Sequence, residues 1–254
     1  MRGIRLIRGY TNSLLHRVAR GFGFYLIPRR KYKKGSSYEQ LIPIANFAPW
    51  KTDDTFLRVF ELVRNNTLVD KYRFYELWTL VKQVKHLNGA FLEVGVWKGG
   101  TGALIAKCAE LCGVTEKVYL CDTFHGVVKA GLYDAHYKGG EHSDTKKQIV
   151  DDLIAKLHVR NVTILEGIFP DETGDLISDR QFRFCHIDVD AYESAKGIFE
   201  WVWPKMVTGG IVIFDDYGFD TCTGVTKFVN EEMFQEDRSM IYNLNGHAII
   251  IKLR

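Results

Sequence analysis

The sequence has no apolar run that approaches the roughly 20 residues needed for a membrane-spanning helix. It has no low-complexity or repetitive stretch, and 46% apolar and 26% charged residues over 254 positions are typical of one large folded domain, alone or with a short appendage. The N-terminal region lacks the uninterrupted apolar core of a signal peptide, because Arg recurs throughout it. We therefore expect a folded cytoplasmic protein.

Paired cysteines are also lacking. The five cysteines are an odd number and none forms a CxxC pair. Cys121 and Cys185 lie within apolar runs, which favours buried free thiols over metal ligands. The chain has no His/Cys cluster that would bind a soft metal such as zinc.

Acidic residues are missing from the first 34 positions, which carry ten Lys or Arg; the first acid is Glu39. The net charge of +3 is therefore very uneven along the chain. We define residues 1–37 as a basic N-terminal arm. Its interleaved apolar residues are compatible with weak contact to an anionic membrane surface, with a patch for an anionic substrate, with packing on a partner subunit, or with a solvated arm.

Residues 38–88 show helical periodicity and are predicted to form a helical lid or cap segment. One apolar face repeats in 53–66 and a second in 70–87, and Asn88-Gly89 is a helix stop.

From residue 89 onward, short apolar runs alternate with helix-length segments. The runs are FLEVGV (91–96), KVYLCD (117–122), VTILEG (162–167), FRFCHIDVD (182–190) and GIVIFDD (210–216). Continuous apolarity is typical of parallel strands buried on both faces. Asn245-Gly246 between SMIYNL and HAIIIKL predicts a closing antiparallel hairpin. We predict an α/β fold over 89–254: a mostly parallel seven-stranded, Rossmann-like sheet with a terminal hairpin, the layout of class I methyltransferases.

A glycine-rich turn follows the first of these runs. Gly95 permits a tight turn, Gly99 allows close backbone approach to a ligand, and the following helix start offers N–H groups to a carboxylate. The spacing differs from the G-x-G-x-x-G pattern of dinucleotide-binding proteins, which disfavours an NAD oxidoreductase. Asp122, after the next run, is suited to hold ribose hydroxyls, or simply caps its own loop.

Four aspartates follow the last two parallel runs: Asp188, Asp190, Asp215 and Asp216. Carboxyl ends of neighbouring parallel strands meet at one sheet edge, where these folds bind ligands. Crowded carboxylates repel one another, and a divalent cation with a preference for hard oxygen ligands, such as Mg²⁺, relieves this. Helix capping is an alternative role for Asp190.

Together, LEVGVWKGGT, CDTFHG, LEGIFPDE, FCHIDVDAYES, GGIVIFDDYG and the closing hairpin resemble the macrocin O-methyltransferase family. The resemblance covers roughly residues 70–235. It implies an S-adenosylmethionine-dependent, Mg²⁺-assisted enzyme that methylates a sugar hydroxyl, with Asp188, Asp215 and Asp216 as metal ligands. It also implies Asp188 as general base, with Asp190 as the alternative. His125-Gly126-Val127-Val128 departs from the family pattern, which has an acid and a leucine-proline pair there. The predicted cofactor contacts are Glu93, Gly95, Gly99, Thr101, Asp122, Thr123, Gly167 and Asp188.

Other functions share parts of this pattern. A catechol-type methyltransferase would use the same metal chemistry on an aromatic diol, and a non-catalytic scaffold would bind the cofactor alone. Residues 124–150 are predicted to form a lid over a sugar or glycoside acceptor; His142 there ranks below the aspartates, and His186 is expected to be structural. We expect a homo-oligomer and no nucleic-acid partner.

Overall fold

The structure is a computed structural model that describes residues 18, 19, 21–23, 26, 31–33, 35–42 and 44–254. It divides into two compact units, residues 1–45 and 46–254. Most of the basic arm lies outside the described residues, so its predicted roles stay predictions. No helix in the described ranges has the length and apolarity needed to cross a bilayer.

The second unit contains six α-helices and seven strands among its described residues. The helices are α1 Asp54–Val63, α2 Lys71–Val84, α3 Gly100–Leu111, α4 Lys147–Lys156, α5 Tyr192–Val202 and α6 Thr223–Glu231. The strands are β1 Ala90–Val94, β2 Val118–Asp122, β3 Val162–Glu166, β4 Phe182–Ile187, β5 Met206–Phe214, β6 Arg238–Tyr242 and β7 Ala248–Lys252. Short 3₁₀ turns occupy Pro49–Lys51, Gly174–Ile177 and Trp203–Lys205.

All strands form one sheet in the order β3-β2-β1-β4-β5-β7-β6. The strands β1 to β5 are parallel, while β7 pairs antiparallel with both β5 and β6. The predicted α/β fold with a terminal hairpin is confirmed, and each predicted run coincides with a strand.

The apolar runs are continuous because each strand of the sheet centre is buried on both faces. Phe91 and Phe184 pack toward the helices α1 to α4, whereas their neighbours Leu92 and Cys185 pack toward α5 and α6. The five cysteines are free, and Cys121 and Cys185 are buried, as predicted.

The helices α1 and α2 belong to the same compact unit as the sheet and pack against α3. Asp53 caps α1 by accepting from the Phe56 N–H at 2.9 Å, and its other oxygen accepts from Trp78 Nε1 on α2 at 3.0 Å. Asp70 caps α2 by accepting from the N–H groups of Tyr72 and Arg73. This packing brings the first turns of α2 to the carboxyl edge of the sheet.

Candidate active site

The glycine turn after β1 is shaped by the neighbouring strand β4. Gly95 has φ +88°, and a Cβ at this position would lie 1.7 Å from the backbone oxygen of Asp188. Only glycine therefore allows the ends of β1 and β4 to lie side by side. Gly99, with φ +87°, is the N-cap of α3, so the chain turns from strand into helix over five residues.

Asp122, at the end of β2, holds this turn in place. One carboxylate oxygen accepts from the N–H groups of Val96 and Trp97, both at 2.7 Å, and the other accepts from the Phe124 N–H at 2.6 Å. Asp122 thus caps its own loop, as the alternative prediction has it. The predicted ribose contact would have to use the remaining lone pair beside these bonds.

Glu93 lies inside the sheet rather than at its edge. Its side chain is fully buried, and Oε1 is 2.9 Å from Nδ1 of the equally buried His186 on β4. A Cβ added at Gly102 would lie 2.4 Å from Glu93 Oε2, so the carboxylate sits beneath the first turn of α3. This position supports the turn from below, and His186 has the structural setting that its place in the strand predicted.

The remaining predicted cofactor contacts surround the same edge. Thr101 lies in the first turn of α3 and is 3% exposed. One of the helix-start donors expected to face a ligand is already used, because the Gly100 N–H donates to the Asn66 oxygen at 3.0 Å. Thr123 Oγ1 donates to the Gly126 oxygen at 3.3 Å, and the Gly167 N–H donates to the Asp122 oxygen at 3.0 Å.

Three of the four predicted aspartates converge. The carboxylates of Asp188, Asp215 and Asp216 each offer an oxygen within 4.8 Å of the others. Pairing of the strands sets this distance, because the Asp215 N–H donates to the Ile187 oxygen at 2.9 Å and the Asp188 N–H donates to the Val94 oxygen at 2.9 Å. The cluster stands at the end of β4 and β5, immediately beside the Gly95 turn.

Arg73 of α2 is part of this site and was missed by the sequence analysis. It is 7% exposed, and its Nη1 lies 2.7 Å from both carboxylate oxygens of Asp215 and 3.5 Å from Asp216 Oδ1. Its Nε donates to Asp70 Oδ2 at 2.9 Å. Arg73 is the one arginine of α2 and directly precedes the buried residue Phe74, but this local pattern does not indicate Asp215 as its partner.

The hairpin supplies a second partner for Asp215. Nε2 of the fully buried His247 lies 2.8 Å from Asp215 Oδ1, and its Nδ1 lies 2.5 Å from Glu76 Oε2. Glu76, also on α2, accepts hydrogen bonds from Asn243 and Asn245. Helix α2 and the hairpin thus hold Asp215 from two sides.

The three carboxyl groups of the acid cluster differ in pKa. Burial, and then the neighbouring acids, raise the pKa of Asp188 and of Asp216 well above the usual value. Burial also acts on Asp215, but Arg73 and His247 outweigh it and lower the pKa of that carboxyl. Arg73 Nη1 is closer to Asp215 than to Asp216, from which it is 3.5 Å away, and the hard oxygen donors of Asp188 and Asp216 fit Mg²⁺.

Asp190 lies toward the loop over 123–146. It has φ +62°, accepts a hydrogen bond from the Tyr137 hydroxyl, and its Oδ2 lies 3.9 Å from His142 Nε2. Cys222 Sγ lies 3.6 Å from Asp190 Oδ1, and burial, and then Asp216 and Asp190, raise the pKa of this thiol. Asp190 therefore links Asp216 of the acid cluster to the loop that is predicted to cover the acceptor.

This loop is fastened to the helices behind it. Asp134, 2% exposed, accepts from the Tyr192 N–H at the start of α5 at 2.9 Å and from the Gly131 N–H at 2.8 Å. Thr223 at the start of α6 donates to the Tyr133 oxygen at 2.7 Å. The segment predicted as a lid is thus docked at its centre, and opening as a lid stays a prediction.

The sheet order, the glycine turn and the acids at the carboxyl edge define a class I methyltransferase. A family model described as macrocin-O-methyltransferase (TylF) matches residues 63–246. The chain belongs to this family, and the resemblance inferred from the sequence is confirmed.

Named relatives are O-methyltransferases of natural products. The 8-demethyl-8-(2,3-dimethoxy-alpha-L-rhamnosyl)-tetracenomycin-C 4'-O-methyltransferase of Streptomyces olivaceus is 28% identical, over 53% of this chain and 55% of its own length. The demethyldecarbamoylnovobiocin O-methyltransferase of Streptomyces niveus is 27% identical over 76% of this chain and 79% of its own length. The first match thus spans little more than half of that relative.

Solved structures share the fold. The O-methyltransferase NovP aligns with a TM-score of 0.63 at 22% identity, covering 74% of this chain and 83% of its own. The calicheamicin methyltransferase CalS11 aligns with a TM-score of 0.58 at 18% identity, covering 85% and 99%. These likenesses concern the fold alone.

Proposed function

We propose that this protein is an S-adenosylmethionine-dependent, Mg²⁺-assisted O-methyltransferase whose acceptor is a hydroxyl of a sugar or of a glycosylated natural product. The observation that carries the proposal is the cluster of Asp188, Asp215 and Asp216 beside the Gly95 turn, in a chain of the macrocin-O-methyltransferase family. The relatives named for tetracenomycin and novobiocin substrates support the acceptor class.

S-adenosylmethionine would lie along the turn between β1 and α3. Gly95 and Gly99 leave the two ends of this turn without side chains, and Asp122 fixes its backbone through hydrogen bonds from Val96 and Trp97. When bound, the cofactor supplies an electrophilic methyl group on a sulfonium. The rigid turn contributes orientation, because in-line displacement requires the acceptor oxygen, the methyl carbon and the sulfur to be collinear.

Mg²⁺ would be held by Asp188, Asp215 and Asp216, and when bound it supplies Lewis-acid assistance to the acceptor hydroxyl. Both sites meet at the carboxyl edge of β1, β4 and β5, so a hydroxyl held there faces the cofactor turn.

A carboxylate must take the proton of the hydroxyl as its oxygen bonds to the methyl carbon and the carbon–sulfur bond breaks. Asp188 and Asp190 are both half-buried beside Asp216, and Asp190 also contacts the loop through Tyr137 and His142. We therefore favour Asp190 as the general base, in place of the Asp188 assignment that the family resemblance implied, with His142 Nε2 3.9 Å from its carboxylate.

The test is transfer of a tritiated methyl group from labelled S-adenosylmethionine to a panel of glycosides and catechols. We expect transfer to glycosides with vicinal hydroxyls and none to catechols. Transfer to catechols alone would show that the protein is a catechol-type methyltransferase. Cofactor binding without transfer to any acceptor would show that it is a non-catalytic cofactor-binding scaffold.

A further inference from the structure

The buried guanidinium of Arg73 links the start of helix α2 to the acid cluster. Its guanidinium is held by Asp70 at the start of α2 and lies over the Phe219 ring, with Cζ 5.1 Å from the ring centre. Nη1 then points into the acid cluster, 2.7 Å from both oxygens of Asp215 and 3.5 Å from Asp216.

This position conflicts with simultaneous use of the same oxygens by a metal. Asp215 and Asp216 are two of the three proposed Mg²⁺ ligands, and Nη1 lies at the junction between them. Two cations that share carboxylates repel each other and compete for the same lone pairs. Without either cation, Asp215 would keep His247 as its partner but lose Arg73, and removal of one partner from a buried ion pair is strongly destabilising.

We propose that Arg73 is the resident counter-ion of the acid cluster: it holds Asp215 and Asp216 while no metal is bound, and it opposes Mg²⁺ binding. Arg73 is a positioning residue that acts through Asp215 and Asp216. The inference rests on the proposed metal site, and it makes α2 the element that senses whether this site is filled.

The test compares full-length Arg73→Gln, Arg73→Lys and wild-type protein by thermal unfolding with and without saturating Mg²⁺, and by calorimetric Mg²⁺ titration. Arg64→Gln is the matched control, because Arg64 pairs with Glu61 on the exposed side of the neighbouring helix α1. Neither readout requires activity.

Without Mg²⁺, Arg73→Gln should lower Tm on the order of 10 °C, as expected when one partner of a buried pair is removed. Saturating Mg²⁺ should recover at least half of this loss, and the Mg²⁺ Kd should fall on the order of tenfold because a repelling charge is gone. Arg73→Lys and Arg64→Gln should stay near wild type in both measurements.

An equal Tm loss with and without Mg²⁺, or a higher Kd in Arg73→Gln, would overturn the inference while leaving the metal site intact. Absence of Mg²⁺ binding by the wild type would overturn the metal site itself, and the inference with it. If the Arg73→Gln protein can be purified in folded form only in the presence of Mg²⁺, chelation of the Mg²⁺ should unfold this variant and leave the wild type folded. An Arg73→Gln protein that is insoluble even in the presence of Mg²⁺ would also contradict the proposal.

Discussion

The acids of the site differ in what surrounds them, although they are chemically identical. Asp215 contacts Arg73 and His247, Asp188 lies beside Asp215 and Asp216, and Asp190 contacts the loop. Under the proposed function, these environments, rather than the residue type, would separate metal ligation from proton transfer.

Asp190→Asn should separate the two roles. Asn tolerates the left-handed backbone at φ +62°, so the variant should fold. We expect kcat to fall about 10²- to 10⁴-fold, the usual contribution of a general base, with a smaller change in Mg²⁺ affinity than in Asp216→Asn. Asp216→Asn, also at positive φ, should instead weaken Mg²⁺ binding by more than tenfold in calorimetry. An unchanged kcat in Asp190→Asn would return the base to Asp188.

Gly95→Ala should be severely destabilising. The added Cβ would lie 1.7 Å from the Asp188 oxygen on a backbone with φ +88°, so β1 and β4 must separate. We expect a loss of more than about 3 kcal/mol in denaturant unfolding. The control is Gly197→Ala in α5, where no atom lies within 4 Å of the added group and about 0.5–1 kcal/mol of stabilisation is expected. A Gly95→Ala protein as stable as wild type would contradict the packing described for this turn.

At the scale of elements, the hairpin is anchored through Asp237, which precedes β6. Its oxygens accept from Trp203 Nε1 and from Arg238 Nε, both at 2.6 Å. The hydrogen bond from Arg238, and then that from Trp203, lower the pKa of Asp237 to about 2 against an opposing effect of burial. The contribution of the Asp237 carboxylate to the free energy of unfolding should therefore be fully present above the unfolded pKa of about 3.9. It should be lost as the pH falls toward 2.

Asp237→Asn should accordingly cost about 1 kcal/mol or less at pH 7, since the carboxylate is partly exposed. The difference from wild type in denaturant unfolding should be constant from pH 7 to about 5 and shrink steadily below pH 4. A difference that does not change with pH would mean that the charge of Asp237 is irrelevant to the hairpin.

The elements themselves follow from local sequence, and the site follows only in part. Continuous apolar runs predicted the parallel strands because both faces of the sheet are covered, and Asn245-Gly246 predicted the hairpin. The acids were predicted because strand ends meet at one edge. Arg73 and His247 were not, because Arg73 contacts Asp215 across 142 positions of sequence and no local pattern encodes such a contact.

For the whole molecule, residues 46–254 form a compact unit with its own core. A fragment beginning at Asn46 should therefore unfold in one cooperative thermal transition, with Tm within a few degrees of the full chain. A non-cooperative melt would show that residues 1–45 are needed for folding.

The arm itself carries separate predictions. We favour a role for residues 1–37 at the acceptor side or in a homo-oligomer, which predicts a higher acceptor KM or a changed oligomer after deletion. Salt-sensitive flotation with anionic vesicles together with unchanged kinetics after deletion would instead assign membrane-surface contact.

The most direct test of the whole account is methyl transfer from labelled S-adenosylmethionine to a glycoside by protein dialysed against EDTA. The account predicts that chelated protein still binds the cofactor but transfers almost no methyl. Mg²⁺ should then restore transfer in wild type, and in Asp216→Asn only at a much higher concentration. Full transfer in EDTA would contradict it, since Asp188, Asp215 and Asp216 would then have no metal to bind.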